Sequence, residues 1–160
     1  MLLHQNAFDT ENLATHPDPE GVRMIYIALG PGAPDGHWWI VWKIPGSDTS
    51  SPNPAGYKCV EVFLHQRIYS LRVSFRRFDG YTVNKWALVA LGELDLLHRN
   101  ALVQVAQDDE INEQGNGNCQ SCVKRIVELS VNRAGQRGGF DRERVKNAIR
   151  NAEALASALA

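Results

Sequence analysis

An α+β domain with a central antiparallel sheet is the fold class that the 160-residue chain predicts. Two observations carry it. Stretches that are alternately or continuously apolar, separated by glycine, proline and asparagine, follow one another from Val22 to Leu91. From Leu94 onward, apolar residues recur instead at the three-and-four spacing of helix faces. The length suits one domain with a single sizeable core, placed at residues 21–160.

Residues 1–20 are polar and end in His16-Pro17-Asp18-Pro19, which suits a flexible, extended arm. His4 and His16 sit in that arm and are given no chemical role. The first strand is Val22 to Leu29. Gly30 to Gly36 turns the chain, and its glycines flank Pro31 without the following Lys or Ser/Thr helix that a phosphate loop needs. His37 to Ile44 is apolar on both alternating faces, which requires cover on both sides and a central place in the sheet. The Ser-, Pro-, Asn- and Gly-rich loop from Pro45 to Gly56 leads to a strand from Tyr57 to His65, with Val60, Val62 and Leu64 on one face. If these two strands form a hairpin, the end of the second returns beside the start of the first, and His37 and His65 become neighbours.

Ile68 to Arg77 alternates, with Tyr69, Leu71, Val73 and Phe75 inward and Ser70, Arg72, Ser74 and Arg76 outward on a wet face. Arg72, Arg76 and Arg77 read there as a solvated cluster. Asp79-Gly80 turns the chain into a last strand, Lys85 to Leu91, a run short enough to fit a helix as well. Leu94, Leu97, Ala101, Leu102 and Val105 mark a short helix, with His98 off its stripe and at the surface. Asn116-Gly117-Asn118 breaks the chain before a helix to about Asn132, on which Cys122, Val123, Ile126, Val127 and Ser130 share a face. Asp141 caps a final helix whose stripe is Val145, Ala148, Ile149, Ala152, Leu155 and Leu159. That stripe covers a sheet edge or serves a homodimer through the C-terminal helix.

A net charge of −1 makes no electrostatic case for nucleic acid or an anionic membrane as partner. No stretch is apolar for long enough to span a bilayer, and Met1 to Asn6 lacks the basic start of a secretory signal, so a cytoplasmic protein is expected. Cys59, Cys119 and Cys122 are too few and too odd for a disulfide framework, which leaves thiol chemistry open.

With Asn118 as cap, Cys119 stands at the first helical position, where unsatisfied N–H groups favour thiolate and hence nucleophilicity. A thiol nucleophile needs an imidazole and a third group to fix that ring. His37, opening a buried strand after a glycine turn, is the best base in the chain. His65, or failing it Glu61 on the same strand, is placed to orient it. The Cys119 N–H and the side chains of Asn118 or Gln120 are placed to face an oxyanion, and Trp39, among the tryptophans of Trp38 to Trp42, is placed to line a substrate pocket. These parts suit a thiol-dependent hydrolase or acyltransferase acting on a small-molecule or peptide carbonyl, with no cofactor and no metal. Cys119-Gln120-Ser121-Cys122 also has the CxxC spacing of disulfide oxidoreductases, but the βαβ context is missing, and a zinc site would need two further ligands. A different class of function is a small-molecule-binding protein or cyclase that uses the same cleft without covalent catalysis.

His37-Trp38-Trp39-Ile40 opening a strand, and Asn118-Cys119-Gln120 opening a helix well downstream, resemble the circularly permuted branch of the papain-like, NlpC-type superfamily. Lecithin:retinol acyltransferase-like proteins and a set of uncharacterised, mostly fungal proteins belong to that branch. The resemblance covers roughly Val22 to Ala134. It implies a permuted papain-like fold with Cys119 as nucleophile, His37 as base and, loosely, His65 as third member. It departs from the family where Cys122 replaces a common aromatic and where the loop between the two strands is long. A role in natural-product biosynthesis, as acyl-transfer enzyme or cyclase, is implied by the resemblance alone.

Overall fold

The computed structural model describes residues 17–30, 37–45, 54–65, 68–77, 87–110, 119–133 and 139–158. These form five strands, β1 (Arg23–Leu29), β2 (Trp38–Pro45), β3 (Pro54–His65), β4 (Ile68–Arg77) and β5 (Ala87–Leu94). Three helices follow, α1 (Leu96–Glu110), α2 (Cys119–Arg133) and α3 (Arg142–Ala158). The fold is α+β, with every pairing antiparallel and the sheet order β4-β3-β2-β1-β5. Among the described residues, no helix is long and apolar enough to cross a membrane.

The sheet is built outward from β2, which is third of five strands. Trp38, Trp39, Ile40, Val41 and Trp42 are all buried. Each fully buried large apolar side chain contributes roughly 1.5–3 kcal/mol, so no other place in the sheet suits this run as well. Trp38, Ile40 and Trp42 join Ile25, Ile27, Leu29, Val60 and Phe75 in the larger core. The helices close that core with Leu102, Val105, Cys122, Val123, Ile126, Val127, Val145, Ala148 and Ile149. Helix α2 packs on β2 and β3, and α3 on β5 and β1. The opposite face holds a smaller buried cluster of Ala28, Trp39, Val41, Tyr57 and Cys59.

That second cluster corrects the reading of β4. Ser74 is fully buried and Arg76 is 6 % exposed, so the face expected to be wet is covered at both positions. The reason lies across the sheet, where the Arg76 guanidinium rests on the Trp39 ring, 3.9 Å from its centroid. A strand's own alternation says which residues share a face and nothing of what covers it.

Helix α1 is rotated from its expected phase. Leu97 is 70 % exposed, while Arg99, Leu102, Val105 and Ala106 point inward. Arg99 sets this phase because its guanidinium donors are all engaged. They reach both carboxylate oxygens of Asp18 and the carbonyls of Pro19, Gly21 and Leu94, at 2.6 to 3.2 Å. Asp18 also accepts from Trp42 Nε1 at 3.0 Å. The arm expected over residues 1–20 therefore stops short of Asp18, whose side chain is 4 % exposed and belongs to the folded body; residues 1–16 lie outside the described residues. His98 is likewise not a surface residue, since its ring is 13 % exposed and meets Asp95 Oδ1 through Nδ1 at 2.6 Å. The same Asp95 oxygen accepts from the His98 N–H and so caps α1.

Strand β5 pairs with β1 from Ala87 to Leu94, with a bulge where the register shifts between Ile25 and Tyr26. Gly92 in that bulge has φ +151°, outside the range that side chains tolerate, and a Cβ there would stand 3.2 Å from Phe140. Asp141 caps α3 as expected, accepting from the Glu143 N–H at 3.1 Å. Phe140 and Val145, on either side of that cap, both enter the main core, as a hydrophobic staple requires. Val145, Ala148, Ile149 and Ala152 are buried and Leu155 is 40 % exposed. Leu159 lies outside the described residues.

Candidate active site

The site lies where two elements begin side by side. Helix α2 starts at Cys119, and its apolar face (Cys122, Val123, Ile126, Val127) holds it on the helix-covered side of β2 and β3. His37 directly precedes β2, and its carbonyl accepts from the Gly30 N–H at 2.9 Å, which closes the turn from β1. The imidazole hydrogen-bonds the Cys119 thiol, so two groups more than 80 positions apart in the chain meet. Cys119 is half-buried and the His37 side chain is 32 % exposed, so the pair is reachable from solvent.

Glu61 holds the ring's other side. Its carboxylate, 2 % exposed, meets His37 Nε2 at 2.8 Å. With Nε2 engaged, Nδ1 is the nitrogen left to exchange a proton with the thiol. The β2–β3 register explains why Glu61 takes this place: it pairs Trp39 with Glu61, so the carboxylate shares a face with Trp39 and, two residues earlier, His37. His65 pairs with Ile68, four residues further along β3, and its side chain lies outside the described residues. The hairpin expected to make His37 and His65 neighbours is thus set about two residues differently, and the fallback orienter, Glu61, is the group in contact.

The electrostatics favour a thiolate–imidazolium pair. For Cys119, burial resists ionisation, but hydrogen bonds from the His37 ring and from the backbone N–H groups of Trp38 and Gln120, with the ring's charge, outweigh it and hold the thiol below its usual range. For His37, burial likewise opposes the charged form. Hydrogen bonds and charge from Cys119 and Glu61 win, and the imidazole is pushed up to about 9. Cys59, fully buried, is driven the opposite way by desolvation and stays a thiol. Cys122 is 3 % exposed within the core.

The chain matches no family model, no curated protein and no solved structure.

The remaining site residues fall as follows. Gln120 is half-buried in the first turn of α2, with its N–H on the Cys119 sulfur. Asn118 lies outside the described residues. Trp39 is 7 % exposed, and its ring meets the His37 ring edge-on, with centroids 5.1 Å apart and planes at 74°. It therefore braces the His37 ring and exposes little surface of its own. Arg76, stacked on that indole, was read as a solvated charge. The signal that would have found it is in β2: a strand apolar on both faces demands cover on its second face, and that cover extends over β4. Among the described residues, no group of three or more His, Cys, Asp or Glu is arranged to hold a metal ion.

Proposed function

We propose that the protein is a thiol-dependent hydrolase or acyltransferase acting on a small-molecule or peptide carbonyl. The observation that carries this reading is the His37 ring held between a buried carboxylate and a half-buried thiol at a helix start. The resemblance of the His-Trp strand and the Asn-Cys-Gln helix to permuted papain-like enzymes agrees with it, and so does an antiparallel sheet with the cysteine helix packed against it.

In this mechanism the Cys119 thiolate attacks the carbonyl carbon, and the carbonyl π electrons move to oxygen. The N-terminal end of α2, with its partial positive charge, stabilises that oxyanion, and Gln120 is the described candidate side chain. Collapse expels the leaving group, which takes its proton from the His37 imidazolium, and leaves a thioester on Cys119. Water or another acceptor then gives a proton to His37, attacks the thioester and releases the thiolate. Glu61 keeps Nε2 engaged throughout, so the proton moves at the nitrogen facing sulfur.

p-Nitrophenyl acetate is a suitable probe. The wild type is expected to release a burst of p-nitrophenolate and to carry an acetyl group on the peptide containing Cys119, with both absent in Cys119→Ala. Ester turnover that Cys119→Ala leaves intact would overturn covalent catalysis and leave a ligand-binding cleft or cyclase as the reading of the fold.

A further inference from the structure

Arg76 is a buried cation that the proposed chemistry does not use. It is 6 % exposed, on the face of the sheet away from the helices. A guanidinium is costly to remove from water, and an apolar side chain of similar length would fill the same space at less cost. Its placement is specific. Arg76 pairs with Tyr57, and Trp39 pairs with Glu61 four positions along β3, so β3 lies between Arg76 and the indole it covers. The side chain crosses β3 near Cys59, whose thiol feels both the positive charge of Arg76 and the negative charge of Glu61. The crossing ends with Cζ 3.9 Å from the Trp39 centroid, and Trp39 stands edge-on to His37.

We propose that Arg76 is a positioning residue for the His37–Cys119 pair, acting through the Trp39 ring it clamps and as countercharge to the buried Glu61 carboxylate. Besides Cys119, the Glu61 hydrogen bond and the Trp39 edge hold the His37 ring; Arg76 stacks on the second of these, and its charge and that of Glu61 both reach the Cys59 thiol. Among the described residues, the titratable groups acting on the ring are Cys119 from α2 and Glu61 from β3; Arg76 from β4 and Cys59 from β3 lie beyond Glu61 and Trp39 on the same face. Arg72, the cross-strand partner of Glu61, is half-buried. Loss of Arg76 frees the indole to tilt and slackens the imidazole's hold on sulfur. It also removes positive charge from the neighbourhood of the thiolate. Both effects weaken thiolate formation.

This inference rests on the thiol-nucleophile reading, and one experiment separates the two. The pH at half-maximal iodoacetamide labelling of Cys119 is measured in the wild type, His37→Ala, Arg76→Met, Arg76→Lys and Trp39→Phe, with thermal unfolding of each. A wild-type midpoint at the free-thiol value of about 8.5, unmoved by His37→Ala, would remove the parent reading itself. Given an activated wild type, Arg76→Met is expected to unfold at a similar temperature but to label with a midpoint about one pH unit higher, roughly tenfold less thiolate below the midpoint. Arg76→Lys should recover part of that shift, because charge without the planar stack restores only one of the two supports. A folded Arg76→Met with the wild-type midpoint would overturn the proposal. If Arg76→Met does not fold, Trp39→Phe and Arg76→Lys decide, and wild-type midpoints in both would overturn it equally.

Discussion

At the scale of single residues, the site sets a thiol whose pKa is lowered against an imidazole whose pKa is raised. Cys119 is held below the usual thiol range, so its thiolate exists above that lowered value and is lost as pH falls through it. His37 is raised to about 9, so its imidazolium exists below that value and is lost as pH rises through it. Acyl transfer to a poor leaving group needs both ions and is expected to follow a bell whose basic limb lies near 9. Iodoacetamide labelling needs only the thiolate and should rise to a plateau with no basic limb. A matching fall of both rates above that pH would show that the imidazolium is not the acid. Glu61→Gln keeps the shape but removes the charge that orients the ring, and is expected to lower ester turnover by about 10²- to 10⁴-fold while Cys119 stays accessible to alkylation. Cys119 and His37 were legible in the sequence because a helix start and a strand start mark their own positions. Glu61 was only a fallback, because deciding between it and His65 takes the hairpin register, which a long loop does not dictate. Arg76 was misread because its burial comes from a tryptophan two strands away.

At the scale of elements, the strands were read closely and the helices only in part. β2 announces its central place by being apolar on both faces, and the Asp141 cap locates the start of α3. The phase of α1 was not legible: its leucines at 94, 97 and 102 fit one stripe, yet the helix turns to bury Arg99 and leaves Leu97 in solvent. Five directed hydrogen-bond donors outweigh one apolar side chain. The β5 bulge offers a test at this scale. Gly92→Ala puts a side chain at φ +151° and against the Phe140 ring, and is expected to cost about 1–3 kcal/mol. The readout is the urea midpoint of unfolding. No change in it would mean that the bulge relaxes without strain.

At the scale of the whole molecule, the sheet has two buried faces, and the chain before β1 is stitched to the helical layer through one ion pair. Asp18 and Arg99, 81 positions apart, bury each other's charge. Removing one partner of such a pair leaves the other uncompensated, so Arg99→Ala is expected to destabilise the fold by about 3–5 kcal/mol and to open the chain near Asp18 to limited proteolysis. Equal resistance in the variant would show that the stitch is dispensable. This tie was not legible, because Pro17-Asp18-Pro19 has the composition of a loose tail and nothing local reveals a partner so distant.

His37 and the first two residues of β2 carry a further consequence. His37 and Trp39 serve one side of the sheet, while Trp38 packs toward the helices and lends its N–H to sulfur. Deleting or inserting one residue at this point would exchange those faces wholesale, turning His37 away from Glu61 and misplacing both tryptophans in a single step. Divergence in the head of β2 is thus open to point replacement and closed to changes of length.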